Sequence, residues 1–169
     1  IGSGTGEHVV HFAQAFPGWR FHPTEIAPER IASIQAWIAH SGLTNIAVPV
    51  SLNAAQAGWG QTVEVDAISV CNLFHLISED DARSILNECA QALAPAGKFI
   101  IYGPFMRSGE LTSEGDEAFH KSISDHNSAL GYKDDFDMLE WIEDAGLIPD
   151  EVIEMPANNL ALIAIKPSV

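Results

Sequence analysis

The chain opens IGSGTGEH, with glycine at alternate positions 2, 4 and 6. Glycine accepts positive φ and lets a ligand approach the backbone with no Cβ in the way. A helix beginning just after such a loop offers free N–H groups to a bound molecule. Spacing decides which molecule. A dinucleotide loop needs G-x-G-x-x-G, with the helix start facing a pyrophosphate. Here the pattern is G-x-G-x-G, and Glu7 follows it, a carboxylate that would repel a pyrophosphate. The G-x-x-x-x-G-K pattern of triphosphate-binding loops is absent. The loop Gly2, Ser3, Gly4, Thr5, Gly6 therefore suits a ligand with less negative charge. Glu25, in HPTEI, follows the next expected strand after Pro23.

A second group of candidates follows the strand DAISVC. Asn72 and His75, in CNLFHLIS, would stand at its carboxyl end, where ligands bind in open parallel sheets. His75 is a candidate base, because an imidazole titrates near neutrality; a buried core histidine is the rival reading. Tyr102 ends the strand IIY and could hydrogen-bond a substrate. Arg107, in the loop after it, could hold a carboxylate or phosphate; a solvated surface arginine is its rival. His8 and His11 share a helix face, but no third ligand stands near them in sequence, so no metal site is expected. Trp37, Trp59 and Trp141 read as core or interface residues.

Alternating elements must position these residues. Helical spacing runs over Glu7 to Phe16 and stops at Pro17-Gly18. A short strand is expected at Trp19 to His22, cut off by Pro23. Pro28 opens a second helix, with Ile31, Ile34 and Ile38 inward and Gly42 as its stop. Strands are expected at 45–50, 66–71 and 98–102. Ser78 caps a helix whose inner face is Ala82, Ile85, Leu86, Cys89, Ala90 and Leu93. Thr112 to Leu130 is polar and reads as a helix, or two, outside the core, and a lid is one use for it. Asp135 to Ala145 is a further helix. Two last strands, 151–155 and 160–166, are joined by Pro156-Ala157-Asn158-Asn159, too short for a crossover, so they pair antiparallel. The expected fold is α/β: a doubly wound, mostly parallel Rossmann-like sheet with helices on both faces and a C-terminal antiparallel hairpin. No linker or repeat divides residues 1–169, so a single domain is expected.

Composition narrows the partners. Of 169 residues, 47% are hydrophobic and 18% charged, which suits a globular core. The net charge is −15 with only eight Lys and Arg, which argues against nucleic acid and anionic membrane surfaces as partners. No apolar run reaches the ~18 residues of a membrane span. Two cysteines, Cys71 and Cys89, lie in apolar stretches and read as free thiols of a reducing compartment, so a cytoplasmic location is expected. Nothing in the sequence sets an oligomeric state.

The glycine motif with Glu25 resembles the class I S-adenosylmethionine-dependent methyltransferases. GSGTGEHVVHFAQAFP, HPTE, YGPF and PANNLAL together resemble one methyltransferase-like family, domain of unknown function 938, over nearly the whole chain. The resemblance implies S-adenosylmethionine as cofactor. It implies that Gly2 to Gly6, Glu25, Leu52, Asn53 and Asn72 contact it, and that Asn158 lines the substrate pocket. Asn158 also suits a tight turn, since Asn tolerates left-handed backbone. Asn53 stands where the family usually has Asp. Its amide oxygen can accept a hydrogen bond from an adenine amino group, without charge assistance. The family also has a strand before the glycine loop, of which only Ile1 remains, so the resemblance implies that upstream residues are missing from this sequence.

Methyl transfer from a sulfonium draws much of its catalysis from alignment, and needs a base only if the acceptor must lose a proton. The reading that best joins these features is methyl transfer to a small-molecule acceptor, with His75 and Tyr102 as candidate catalytic residues. A non-catalytic binding or scaffold protein of the same fold is the alternative, which Asn53 favours. A nicotinamide-dependent oxidoreductase is opposed by the glycine spacing and Glu7.

Overall fold

The apolar spacing of the first helix has its expected result. In the computed structural model, which describes residues 1–168, α1 (Glu7–Ala15) buries Val9, Val10 and Ala13. Pro28 opens α2 (Pro28–Ser41), and Gly42 ends it in the left-handed region at φ 66°. These helices, with Ile34 and Ile46 buried and Phe21, Trp37, Ile38 and Leu43 half-buried, make the core of a first compact unit, Ile1–Ala54. Its strands β1 (Thr24–Glu25) and β2 (Val50–Ser51) pair in parallel.

These strands lie later in the chain than the sequence suggests. Phe21 and Ile46 make only an isolated bridge, and β1 begins after Pro23 instead of ending before it. Proline removes a donor but keeps its carbonyl. The Val50 N–H donates to the Pro23 carbonyl at 3.0 Å, and the Leu52 N–H to that of Glu25 at 3.0 Å, so pairing runs through the proline.

The second unit begins at Ala55. It contains β3 (Val65–Cys71), α3 (Glu79–Ala92), β4 (Leu93–Pro104), α4 (Glu114–His126), α5 (Asp135–Asp144), β5 (Ile148–Glu154) and β6 (Asn159–Ile165). Its sheet has the order β3-β4-β6-β5. β3 and β4 are parallel, with Cys71 opposite Tyr102. β6 is antiparallel to both β4 and β5. The architecture is thus mixed α/β, with parallel pairs and antiparallel C-terminal strands, as expected.

Every residue assigned to the inner face of α3 is buried. The Ser78 side chain caps that helix by accepting from the Asp81 N–H. β4 starts earlier than expected because the Pro95-Ala96-Gly97 turn is absorbed into it, Ala96 adopting φ 62°. One buried acid was not anticipated. Glu88 on α3 accepts from the N–H groups of Gly58 and Gly60, at 2.8 and 2.6 Å, and so anchors the loop before β3. Among the described residues no helix is long and apolar enough to cross a membrane. Cys71 and Cys89 are both free thiols.

Gly6 is the tightest point of the glycine loop. It has φ 98°, and a Cβ there would lie 2.8 Å from the Cα of Ile34. Gly6→Ala is expected to destabilise the chain by about 2–4 kcal/mol, combining left-handed strain with overpacking. Gly42→Ala, with open space around it, should cost only about 1–2 kcal/mol. Urea unfolding of the two variants checks the difference.

Candidate functional site

The glycine loop is bound to β1 by its backbone. The Ser3 N–H donates to the Thr24 carbonyl at 2.9 Å, and the Gly6 N–H closes a turn onto Ser3 at 3.1 Å. The Ser33 hydroxyl donates to the Thr5 carbonyl at 2.8 Å. Gly2, Gly4 and Gly6 all have positive φ. Beside Gly4 nothing lies within 4 Å of the place a Cβ would occupy, so one side of the loop is open.

Glu25 is 4% exposed and turned toward this loop. Its Oε2 accepts from the Gly4 N–H at 2.8 Å. Its Oε1 accepts from the Ile26 N–H at 2.8 Å, with the Ala27 N–H at 3.5 Å. Arg30 lies 3.9 Å away. A carboxylate has about four acceptor positions, so the two close donors leave capacity for hydroxyl groups of a ligand. Leu52 and Asn53 follow directly on β2, the partner strand of β1.

The second cluster surrounds a cavity of about 410 Å³ in the second unit. Asn72 is on its wall, at the carboxyl end of β3. It has φ 53°, and its N–H donates to the Tyr102 carbonyl at 2.8 Å. His75, from the 3-10 turn Phe74–Leu76, is 5% exposed and also lines the cavity. Its ring meets Phe119 at 5.7 Å and Tyr132 at 6.1 Å between centroids. Phe119 and Tyr132 meet each other edge-on. Burial, and secondarily the positive charge of Lys133, lower the His75 pKa to about 4. Lys133 is itself buried, and its ammonium donates to the carbonyls of Ile77 and Gly131 at 2.8 and 3.0 Å.

A carboxylate that sequence reading missed ties the cavity walls together. Asp116, in the first turn of α4, is 8% exposed. It accepts from the hydroxyls of Thr112 at 2.8 Å, Ser113 at 2.6 Å and Tyr132 at 3.0 Å, and from the Asn158 amide at 3.0 Å. Desolvation works against its charge, but these four donors outweigh it and the pKa is lowered. The signal was present as Ser113-Glu-Gly-Asp116, the spacing of a capping box, in which the Ser113 side chain accepts from the Asp116 N–H.

Arg107 and Asn158, expected to contact substrate, make bracing contacts within the protein. The Arg107 guanidinium pairs with Glu154 at 3.2 Å and donates to the carbonyls of Phe105 at 2.9 Å and Asn158 at 3.1 Å. Five hydrogen bonds thus hold it to the protein itself, the carboxylate being gripped through both Nε and Nη2. The side-chain amide of Asn158 is held by Asp116, and its backbone φ of 59° suits the tight turn. Its neighbours Ala157 and Asn159 line the cavity instead. Asn159 also donates to the Tyr102 hydroxyl oxygen at 3.0 Å, linking Tyr102 to the cavity wall. Among the described residues no group of three His, Cys, Asp or Glu side chains is placed to hold a metal ion.

Several solved structures share this fold. An O-methyltransferase family protein from Burkholderia thailandensis matches with a TM-score of 0.85 at 16% identity, over 99% of this chain and 49% of its own. The mitomycin 7-O-methyltransferase MmcR matches at 0.84 and 16% identity, over 99% of this chain and 47% of its own. PigF, solved with SAH, matches at 0.82 and 18% identity, over 98% and 49%. The chain spans about half the length of these proteins. What it shares with them is the fold of the class I S-adenosylmethionine-dependent methyltransferases. Residues 1–166 match the family described as "Protein of unknown function (DUF938)", and the chain belongs to that family.

The lowered pKa of His75 has a consequence for stability. As pH falls, the unfolded chain binds this proton near pH 6.5, while the folded chain resists it until about pH 4. The stability tied to neutral His75 is therefore complete above about pH 6.5 and is lost between there and about pH 4. His75→Phe is expected to remove on the order of 2 kcal/mol of the acid sensitivity seen between pH 7 and pH 4.5. Urea titrations of both proteins at the two pH values check it.

Proposed function

We propose that this protein binds S-adenosylmethionine at the glycine loop and transfers its methyl group to a small-molecule acceptor. The observation that carries the reading is the Glu25 carboxylate bonded to the Gly4 N–H, beside a loop face left open by a missing Cβ. The residues fit the cofactor. Glu25 retains acceptor capacity for a ribose diol, and the Asn53 amide can serve an adenine edge. Bound S-adenosylmethionine supplies an electrophilic methyl whose bond to sulfur breaks with the electron pair left on sulfur.

The chain's own residues would handle the acceptor. His75 is uncharged at neutral pH because burial opposes its protonation, so its ring nitrogen can accept a hydrogen bond from the acceptor and orient it. Tyr102 and Asn72 would orient the acceptor from the carboxyl ends of β4 and β3, Tyr102 through its bond to Asn159. Cavity walls of Phe119, Tyr132 and Pro104 would give an acceptor apolar surfaces to pack against. The fold kinship with O-methyltransferases supports oxygen as one acceptor atom. The charge of −15 and the scarcity of Lys and Arg support a small molecule over nucleic acid or a membrane. Two free thiols support a cytoplasmic setting. Asn53 is the feature that favours a binding protein without catalysis, and cofactor binding with no methylated product from any acceptor would establish that instead.

Isothermal titration with S-adenosylmethionine is expected to show micromolar binding, weakened at least about tenfold by Glu25→Gln, a loss of about 1.4 kcal/mol. No heat at millimolar ligand would remove the proposal. With methyl-labelled cofactor and a metabolite extract, His75→Phe should lower turnover by about tenfold, the worth of one orienting hydrogen bond, while leaving cofactor affinity unchanged.

A further inference from the structure

The cavity beside His75 carries information about what enters it. We infer that it takes an uncharged, flat ring compound that donates an O–H or N–H to the His75 ring. This rests on the reading of the cavity as the methyl-acceptor site.

Three observations support it. The first is an unpaired polar group. His75 is 5% exposed, yet among the described residues no side-chain hydrogen bond is made by its ring, which lines the cavity. Its partners are the rings of Phe119 and Tyr132, which cannot satisfy a ring nitrogen. A guest donor in the cavity would supply the hydrogen bond that the protein does not make to this ring.

The second is the absence of charge on the walls. The cavity is lined by Asn72, Asn159, His75 and apolar or aromatic side chains, with no carboxylate, ammonium or guanidinium among them. The nearby ions are all bound into the protein. Lys133 donates to two carbonyls, Asp116 is covered by four side-chain donors, and Arg107 is paired with Glu154. His120, on α4 beside Tyr132, accepts from the Tyr132 N–H through Nδ1. An anionic guest would find no cation to pair with. A cationic guest would meet the Lys133 charge that already opposes protonation of His75.

The third is shape. Phe119 is 46% exposed on a helix that otherwise buries only Asp116. It meets Tyr132 with the rings inclined at 74°. Such a corner accepts another ring by stacking on one member and packing against the edge of the other. The volume, about 410 Å³, falls in the lower part of the range that holds compact ring compounds. In the transfer itself the acceptor oxygen or nitrogen, oriented by its hydrogen bond to His75, forms its bond to the methyl carbon, the carbon–sulfur bond breaks onto sulfur, and the acceptor proton is lost to solvent.

The test uses four probes of one size and needs no turnover: 2-naphthol, 2-methylnaphthalene, 2-naphthoate and 2-naphthylmethylammonium. Binding to the full chain is measured by ligand-observed NMR at about pH 6 and pH 8, without S-adenosylmethionine. The neutral donor 2-naphthol is expected to bind at least about tenfold more tightly than either ion at both pH values. It should also exceed 2-methylnaphthalene by about fivefold to tenfold, the worth of one hydrogen bond. His75→Phe should abolish that last preference and leave 2-methylnaphthalene binding unchanged. Phe119→Ala, at an exposed position, should weaken all four probes. A charged probe binding as tightly as 2-naphthol overturns the inference. So does absence of binding, or a naphthol preference that survives His75→Phe. Naphthol selectivity without methyl transfer would leave the inference standing and remove the catalytic reading; methyl transfer to a charged acceptor would do the reverse.

Discussion

The bond between the Glu25 carboxylate and the Gly4 N–H is the constraint on which the form of the glycine loop depends. It joins the end of a two-residue strand to a loop with little side-chain packing of its own. A buried carboxylate needs donors, because an uncompensated charge at 4% exposure would be expensive. Backbone N–H groups at Gly4 and Ile26 supply them, and in doing so they fix the loop in a positive-φ path that glycine follows most easily. Gly6 then brings the loop against Ile34, closer than any side chain would allow. Strand end, loop and helix start therefore form one assembly, and its unfilled acceptor positions and open Gly4 face are the features on which the proposed cofactor binding rests.

The second unit solves a different problem with the same economy of polar groups. Among the described residues its buried ions Glu88, Asp116 and Lys133 all have hydrogen-bond partners within the protein, and the imidazole of His75 faces the cavity. Asp116 makes this possible. By gathering Tyr132, Asn158 and the start of α4 onto one carboxylate, it fixes an aromatic wall and the β5–β6 turn together. Arg107 grips the same turn from the other side of its backbone, through the Asn158 carbonyl. Two charged side chains thus act as braces, and the cavity they frame has no charge on its walls.

Much of the fold was legible in the sequence because it rests on periodicity and punctuation. The α3 face, the Ser78 cap, Pro28 at a helix start and Gly42 at a helix end depend on residues within a few positions of one another. The short strands β1 and β2 were less legible. Their location depends on which carbonyls stay available around Pro23, and a proline reads as a strand stop from sequence alone. The glycine loop and Glu25 were legible as a pair, since their spacing and residue types carry the chemistry. The bracing roles of Arg107 and Asn158 were not. They arise from contacts with Glu154 and Asp116, each more than forty positions away in the chain. Asp116 itself was hidden in a polar stretch, where a capping-box spacing reports a helix start but not the tertiary partners that gather there.

The most direct test of the central claim is the backbone amide spectrum of the chain on addition of S-adenosylhomocysteine. The account predicts that the Gly4 and Ile26 resonances, the two amides bonded to Glu25, move with saturable dependence on ligand, and that the Glu25→Gln variant loses the response. Resonances of Gly2 to Gly6 and Ile26 that stay fixed at saturating ligand would contradict it.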